Sequence, residues 1–348
     1  MKEQEMNLPK FLSSLDRFKE HFPNEAVCWQ YLRDTRWPEG FVCPRDQEPG
    51  TTYHPVRGIW VCRKRHHISV RTDTALHGTR QPLLYWFRAA FFMATRPSGI
   101  AAQRFSEGMS LQRDGTAYSL LQRLRDAIPN PNRAPLQGTV QVEMRALRAA
   151  RVIRGQRPGP GKALVICAVA VRKNQGAGVR IQTLASRGVK RIRTFVRRHI
   201  APGAHLYTDA SDEYRGLSDM GYRHTMVHVQ SGARGAEQLI CIHKVLSEVE
   251  DFLQKTHHGV SRKHVQAYLN EFALRFKVEG NPKAAFDRLL GITAMVPAEK
   301  DRHLYRSPEA RGWVHVDPPD KLRHVTISSL AELSKLRNAW PPVIHASY

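Results

Sequence analysis

The chain has 348 residues, of which 54 are lysine or arginine and 31 are aspartate or glutamate, so its formal net charge at pH 7 is +23. A hydrophobic content of 41% predicts a globular protein and excludes a disordered chain. The basic balance favours a polyanionic partner, and nucleic acid is the usual one. Neither an apolar run of about 18 residues nor the apolar core of a signal peptide is present, so we expect no membrane span and no secretion.

The first 80 residues predict two small modules. Residues 1–38 show the apolar periodicity of short helices. Residues 39–80 combine short strands with turns, and a cysteine lies near each of two turns, as in a zinc ribbon whose two Cys-x-x-Cys turns hold one tetrahedral zinc ion. Five scattered cysteines, an odd number, fit a reducing cytoplasm better than a disulfide framework.

Both turns of this ribbon lack their second cysteine. Asp46 stands three residues after Cys43, and Arg65, which cannot ligate a metal, stands three residues after Cys62. Cys43 and Cys62 are therefore candidate zinc ligands that need a histidine to complete the site. The candidates are His54, His66 and His67. The alternative is a ribbon-shaped module that has lost its metal and is held by packing.

Residues 81–128 predict three helices, the first of which starts at Pro82 and the last of which spans 114–128. The last two helices and the turn between them have the pattern of a DNA-binding helix-turn-helix, although many helical hairpins share it. Arg123 and Arg125 on the last helix are candidate DNA contacts.

Residues 129–135 predict a linker, and the periodicity then changes to that of strands. The predicted strands are residues 139–142, 163–171, 179–184, 205–207 and 224–229, and the predicted helices are residues 189–200, 212–220, 240–255 and 261–276. This order is that of an α/β RNase H-like core, which we place at residues 136–295. Residues 296–348 form a C-terminal extension.

Three acids carry the chemistry in such a fold: one at the end of the first strand, one after the fourth strand and one on a late helix. Together they hold two divalent cations, usually Mg²⁺, about 3.5–4 Å apart. Glu143, Asp209 and either Glu248 or Glu250 occupy those places here. The alternatives are that Asp209 caps the next turn and that the two glutamates lie on a solvated helix face.

Several stretches resemble the ISXO-type bacterial insertion-sequence transposases. They are "RWPEGFVCPRD", "ISVRTDTALHGTRQPLLYWFRAAFFMAT", "GIAAQRF", "TAYSLLQRLRDAI", "LQGTVQVE", "LYTDASDEYRGL" and "THHGVSRKHVQAYLNEFALRF". The resemblance implies a zinc ribbon and a helix-turn-helix ahead of a DDE-type RNase H-like core that acts on double-stranded DNA. It also implies a homo-oligomer, or a subunit of a protein–DNA assembly, at the nucleoid of a bacterial cytoplasm.

The chain departs from this family where the family binds metal. The family's Asp-Glu-Thr at the end of the first strand is replaced by Glu143, Met144 and Arg145, whereas Asp209 is kept and Glu248 replaces a frequent Asn. Glutamate moves the carboxylate out by one methylene in a site that demands placement within about half an ångström. We therefore expect a transposase-derived DNA-binding protein with impaired catalysis by this degenerate triad. The alternatives are an active Mg²⁺-dependent DDE transposase and a module that binds RNA or assembles proteins.

Basic side chains in three segments are the expected DNA contacts, because they neutralise phosphates and make binding depend on salt. They are Arg63, Lys64 and Arg65 in the ribbon, Arg123 and Arg125 in the helix-turn-helix, and Lys190, Arg191, Arg193, Arg197 and Arg198 on a core helix.

Overall fold

The structure, a computed structural model, describes residues 12–55, 57–72, 74–96, 98–111, 113–128, 134–148, 162–171, 178–228, 238–261, 263–277 and 282–290. These residues divide into a first unit, drawn from Met1–Asn130 and Val278–Tyr305, and a second unit, drawn from Pro131–Lys277 and Arg306–Tyr348. Most of the predicted linker and the whole predicted C-terminal extension lie outside the described residues. The boundaries predicted from the sequence for the smaller modules remain predictions.

The first unit is built mainly of helices. They are α1 (Leu15–His21), α2 (Glu25–Arg36), α3 (Leu83–Thr95), α4 (Ala102–Gly108), α5 (Asp114–Asp126) and α9 (Pro282–Leu289). Ser14 and Asn24 begin the first two helices, because each side chain accepts a hydrogen bond at 3.2 Å from the backbone amide three residues later. Such caps satisfy amides that the first helical turn leaves without an intrahelical partner.

An aromatic core holds these helices together. Helix α3 is apolar on most of its surface and buries Trp86 and Phe87. Phe286 of α9 packs edge-on against Phe87, with ring centroids 5.6 Å apart. The Tyr31 hydroxyl donates a 2.5 Å hydrogen bond to Asp287 of the same helix. Helix α9 therefore closes the core of the first unit although it lies far along the chain.

A three-stranded antiparallel sheet completes the described part of the first unit. Its strands are β1 (Gly50–His54), β2 (Ile59–Cys62) and β3 (His67–Ser69), in that order. Phe41 lies flat against Trp60, with ring centroids 5.2 Å apart, and together with Cys43, Cys62 and Ile68 they form a small core of their own. Since this core is small, the module has little apolar burial to stabilise it.

The second unit contains a five-stranded mixed sheet. Its strands are β4 (Thr139–Arg148), β5 (Lys162–Val171), β6 (Val179–Thr183), β7 (His205–Asp209) and β8 (Arg223–Val227). The spatial order is β6-β5-β4-β7-β8. Strands β4, β5 and β6 pair antiparallel, whereas β7 runs parallel to both β4 and β8. The parallel half places β7 beside the first strand, next to the predicted acids.

Two sequence predictions in this unit are wrong. The first strand does not end at residue 142 but continues to Arg148, because β5 pairs with it throughout, so Glu143 lies inside a strand. The helix predicted at 212–220 is instead two single 3₁₀ turns, Asp212–Tyr214 and Ser218–Met220. Gly216 between them has φ = 77°, a left-handed conformation that ends a right-handed helix.

Helices cover both faces of this sheet. On the front face, α7 (Ile240–Asp251) and α8 (Val265–Lys277) pack against the β4 and β5 side chains that share a face with Cys167 and Leu147. On the back face, α6 (Val189–His199) packs against Val142 and the other side chains that point the opposite way. Because side chains alternate along a strand, Glu143 and Arg145 lie on the front face. Within the described ranges, no helix has the length and apolar character needed to cross a membrane.

Candidate functional site

Four side chains with metal-binding atoms converge beside the three-stranded sheet. Cys43, Asp46, Cys62 and His66 place one ligand atom each within 4.8 Å of all the others. Cys62 Sγ lies 3.2 Å from Asp46 Oδ2, and His66 Nδ1 lies 3.1 Å from the same oxygen and 3.6 Å from Cys43 Sγ. We call this group the C-D-C-H cluster.

Two turns aim these side chains inward. Gln47 and Arg65 adopt left-handed backbone conformations, with φ = 58° and 60°, and each ends the turn that follows one cysteine. The His66 amide lies 3.4 Å from Cys62 Sγ and donates a hydrogen bond to it. Cys43 and Cys62 are 0% and 2% exposed, so the thiols point into the module and away from solvent.

The donor set fits a tetrahedral zinc ion. Thiolate, imidazole and carboxylate are the ligands that zinc takes in proteins. Burial opposes ionisation of Asp46, but hydrogen bonds from the Cys43 and Cys62 thiols outweigh it and lower the pKa of Asp46 to about 2. Of the three candidate histidines, His66 joins the cluster, whereas His54 and His67 are exposed and lie outside it. From the sequence, Asp46 was interpreted as the loss of a cysteine ligand. Its spacing of three residues from Cys43 is nevertheless the spacing of a zinc ligand.

The first predicted acid of the second unit is held by two basic side chains. The Arg145 Nε and Nη2 atoms both lie 2.7 Å from Glu143 Oε1. On the other side, His243 Nε2 of α7 lies 3.2 Å from Glu143 Oε2. The second contact is electrostatic rather than an aligned hydrogen bond, since Oε2 lacks a well-directed donor within the described part of the chain. Glu143 is 8% exposed, so these contacts act in a poorly solvated environment.

The ionised form of Glu143 is favoured in this environment. Burial raises the pKa of the carboxyl, but the His243 contact and the positive charge of Arg145 outweigh it, so the pKa lies below its usual value. Cys167 stands opposite Glu143 on β5, and burial next to that carboxylate raises the pKa of its thiol. The negative charge of Glu143 is therefore offset by basic side chains of the same chain.

Asp209 lies at the end of β7, next to the same site. Its Oδ1 accepts a 2.9 Å hydrogen bond from the Ser211 amide, which is the turn-capping contact that the sequence left open as an alternative. Extending the observed β4–β7 register, in which Gln141 pairs with Tyr207, sets Asp209 level with Glu143. The structure thus sets two of the three predicted acids level on neighbouring strands, Glu143 within β4 and Asp209 at the end of β7.

Tyr214 lies close enough to both acids to feel their charge. Its hydroxyl accepts a 2.7 Å hydrogen bond from the Met144 amide, at a point where the β4–β7 pairing has ended. Burial, together with the negative charges of Asp209 and Glu143, raises the pKa of Tyr214. No motif in the sequence marked this tyrosine.

The third predicted acid lies elsewhere on its helix. At about 100° per residue, Glu248 is turned about 140° from His243, the α7 side chain that contacts Glu143. Glu250 lies two turns after His243, within about 20° of it around the helix. It contacts Arg148 and not Glu143, with its Oε1 3.1 Å from the arginine Nε. The structure therefore does not bring Glu248 together with Glu143 and Asp209 in the way that a metal-binding triad requires.

This arrangement does not fit a pair of Mg²⁺ ions. Two such ions need carboxylate oxygens that are open to them, at closely defined positions. Here a guanidinium occupies one oxygen of Glu143, and Glu248 starts from a position about 140° around α7 from His243. The group contains two acids and two basic side chains, so the charge that metal ions would supply is supplied by Arg145 and, when protonated, by His243.

The candidate DNA-binding side chains differ in their exposure to solvent. Arg63, Lys64 and Arg65 are exposed, as are Arg123, Lys190, Arg197 and Arg198, whereas Arg191 and Arg193 are half-buried. Arg123 lies over the Trp86 ring and donates a 2.5 Å hydrogen bond to the His77 carbonyl. Arg125 is 1% exposed, so its guanidinium does not lie on the surface.

Comparison with protein families finds a match within the second unit. Residues 133–277 match the family described as the ISXO2-like transposase domain. No curated protein matches the sequence significantly. The matched range begins before β4 and ends with α8, so it contains the whole five-stranded sheet and both of its helical layers. DDE-type transposases use divalent metal ions.

Proposed function

We propose that the chain is a transposase-derived protein that binds duplex DNA and is impaired in DNA cleavage, because residues 133–277 match the ISXO2-like transposase domain. In this proposal the five-stranded sheet is an RNase H-like core, and its antiparallel–parallel strand order supports that identification. Helices α4 and α5 act as a helix-turn-helix, and the three-stranded sheet acts as a zinc ribbon. The protein works at the bacterial nucleoid, as a homo-oligomer or within a larger protein–DNA assembly.

The contact between Arg145 and Glu143 carries the impaired part of the proposal. A metal ion bound at Glu143 Oε1 would have to displace a guanidinium that makes two 2.7 Å contacts to that oxygen. At Oε2 it would meet His243, whose Nε2 lies 3.2 Å away. Charge-assisted contacts of this kind are among the strong ones in proteins. A cation beside Arg145 would also meet electrostatic repulsion, which is strong where solvent is excluded.

Charge and exposure support DNA as the partner. The three consecutive basic residues Arg63–Arg65 are exposed beside the C-D-C-H cluster, and Arg123 is exposed on α5. A cavity of about 400 Å³ lies at the start of α5, with Arg113, Arg123 and Thr116 in its lining. A helix start with arginines beside it suits a DNA phosphate, because backbone amides and positive charge point to the same place.

The C-D-C-H cluster supports a second, structural proposal, that the first unit binds one zinc ion per chain. Cys43, Asp46, Cys62 and His66 would hold it, and zinc would cross-link two turns that have only a small apolar core. Purified protein is expected to contain about one zinc per chain by elemental analysis, as in other single structural sites. A metal-free, folded first unit would overturn this proposal.

Binding and cleavage are tested separately. Wild-type protein is expected to bind duplex DNA with a strong salt dependence, measured by fluorescence anisotropy at several salt concentrations. The triple variant R63Q/K64Q/R65Q should lower the slope of log affinity against log salt by about three, since each phosphate contact contributes about 0.9. Salt-independent binding, or an unchanged slope in this variant, would contradict the proposed interface.

Cleavage is measured on duplexes that end in inverted repeats, with Mg²⁺ or Mn²⁺. We expect no product above background from wild-type protein. Cleavage by wild-type protein that disappears in Asp209→Ala would establish the alternative, an active DDE-type transposase. The variant also serves as a control, because its DNA affinity should match that of wild type.

A further inference from the structure

The two cysteines of the C-D-C-H cluster are close enough to react with each other. The Sγ atoms of Cys43 and Cys62 lie within 4.8 Å of one another, and a disulfide bond is about 2.05 Å long, so the sulfurs have to approach by less than about 3 Å. Of the other cysteines, Cys28 lies outside the cluster, and Cys167 and Cys241 belong to the second unit. The cluster therefore offers one disulfide, whereas a site with four cysteines offers several pairings.

This disulfide would join the same two turns that a zinc ion would join. The first turn closes with a 2.8 Å hydrogen bond from the Gln47 amide to the Cys43 carbonyl, and the second with a 2.9 Å bond from the Arg65 amide to the Cys62 carbonyl. A bond between the sulfurs constrains the chain as a metal cross-link does. The module can therefore exchange one cross-link for the other, although its apolar core is small.

The second turn carries exposed basic side chains between two members of the cluster. Arg63–Arg65 follow Cys62 and precede His66. The Cys62 amide donates a 3.2 Å hydrogen bond to the His66 carbonyl, and the His66 amide donates back to Cys62 Sγ at 3.4 Å. With zinc bound to Cys62 and His66, both ends of this basic turn would be fixed. In the disulfide form Cys62 stays tied to Cys43, but His66 has no metal to hold it.

The chemistry of the cluster favours oxidation of the two sulfurs as a pair. In the zinc-bound cluster both would be thiolates, because a thiol that coordinates a metal is deprotonated, and the thiolate is the form that reacts. The His66 side chain is 29% exposed, so solvent reaches the edge of the cluster. Once the thiolates are lost, Asp46 and His66 remain, and two ligands are fewer than zinc takes in a structural site.

We propose that Cys43 and Cys62 form a peroxide-sensitive redox site, whose oxidation releases zinc and weakens DNA binding by the basic turn Arg63–Arg65. The inference rests on the proposed zinc site and on the proposed DNA contacts of that turn. It adds a signal, the oxidation state of two sulfurs, that changes both.

The reaction consumes one hydrogen peroxide for each pair of thiolates. One thiolate attacks the peroxide and breaks its O–O bond, which gives a sulfenic acid and a hydroxide. The second thiolate attacks the sulfenic sulfur, so that the S–S bond forms, the S–O bond breaks and a second hydroxide leaves. Two protons from solvent convert the hydroxides to water, and Zn²⁺ passes into solution. The two sulfurs lose the two electrons that the peroxide gains, and a reducing thiol reverses the step by exchange.

Zinc release and cross-linking are measured on full-length protein purified with zinc under reducing conditions. A small excess of hydrogen peroxide is added, released zinc is followed with a chromogenic chelator, and free thiols are blocked before peptide mass spectrometry. We expect about one zinc released and about one Cys43–Cys62 cross-link per chain, in equal amounts. Dithiothreitol with added zinc should restore the metal. Cys28→Ala removes the cysteine of the first unit that lies outside the cluster, and should behave like wild type.

The effect on DNA is measured by fluorescence anisotropy with and without peroxide. Oxidation should raise the dissociation constant of wild-type protein for duplex DNA by about threefold or more, because the phosphate contacts of the basic turn weaken. In the variant R63Q/K64Q/R65Q the same treatment should leave the dissociation constant unchanged within error, since the contacts that depend on the cluster are already absent. Equal peroxide effects in both proteins overturn the link to the basic turn.

The remaining outcomes also decide. Protein that never contains zinc overturns the proposed zinc site, and with it the release of zinc. Protein that contains zinc and keeps it in peroxide overturns the redox site alone. A cross-link to Cys28, or sulfinic acid at Cys43 and Cys62 without a cross-link, overturns the pairing of the two cluster cysteines. Reduced protein that binds no duplex overturns the proposed DNA-binding function, whereas zinc release and the cross-link still decide on the redox site.

Discussion

The C-D-C-H cluster and the Glu143 site are two places where the expected metal ligands have been replaced, and they have opposite outcomes. In the cluster, Asp46 and His66 supply donor atoms that face two cysteines, so the four atoms still surround one point. At the Glu143 site, the replacement Arg145 is a cation that sits on the carboxylate itself. Whether a replaced ligand position can still bind metal therefore depends on the charge of the new side chain and on the direction in which it points.

The largest expected effect is in the cluster. Cys43→Ser removes a buried thiolate, and structural zinc contributes on the order of 10 kcal/mol to the folding of small zinc modules. Zinc content measured by elemental analysis should fall from about one to nearly zero per chain, with loss of the cooperative thermal transition of the first unit. His67→Ala, at an exposed neighbour outside the cluster, is the control and should keep its zinc. Retention of zinc by Cys43→Ser would mean that the cluster is not the binding site.

The next largest effect is a difference in unfolding free energy between the buried ion pair of Arg145 and the exposed ion pair of Arg148. Arg145→Met leaves Glu143 charged in a site that is 8% exposed, and should lower the free energy of unfolding by about 2 kcal/mol. This is less than for a fully buried pair, because the Arg145 side chain is 32% exposed. Arg148→Met breaks the exposed pair with Glu250 and should cost about 0.5 kcal/mol or less. Equal costs in urea unfolding would remove the distinction drawn between the two arginines.

A smaller effect is expected at the Tyr214 hydroxyl, which accepts a hydrogen bond from the Met144 amide. Tyr214→Phe removes the acceptor of the Met144 amide, which is then buried without its partner, and should lower the free energy of unfolding by about 1–2 kcal/mol. Tyr222→Phe, which removes a hydroxyl that donates to the Ile200 carbonyl, is a matched control for the loss of a tyrosine hydroxyl. Hydrogen exchange of the Met144 amide should rise selectively in Tyr214→Phe, and equal exchange in both variants would contradict the assignment.

The smallest effect is a dependence on pH. The folded-state pKa of Glu143 lies below its unfolded value, so its ionisation stabilises the fold above the unfolded pKa of about 4.5, and that stability is lost as pH falls through the folded pKa. The difference in unfolding free energy between wild type and Glu143→Gln should therefore be constant near neutral pH and change only below about pH 4.5. Urea unfolding between pH 3 and 7 measures it. A difference that changes mainly above pH 6 would assign the dependence to another group.

Local pattern was enough for most elements and for the transposase resemblance. A continuous apolar run located β5, the strand period located β6, each to within one residue, and the amphipathic period located α6. The same local rules were wrong for residues 212–220, where Gly216 takes φ = 77° and breaks what composition reads as a helix. They also predicted that the first strand ends before Glu143, because charged residues interrupt an apolar pattern. The pattern does not show that Glu143 and Arg145 neutralise each other on one face of the strand.

By itself the sequence determined charge, periodicity and the positions of the replaced ligands, because each is a property of neighbouring residues. Only the tertiary structure decided which replacement side chains come together with the remaining ligands. It brought His66 rather than His54 or His67 to the two cysteines, and it set His243, a hundred residues away, against Glu143. It also turned α6 away from the acids, since which face of a sheet a helix covers depends on the path of the chain and not on the residues of the helix.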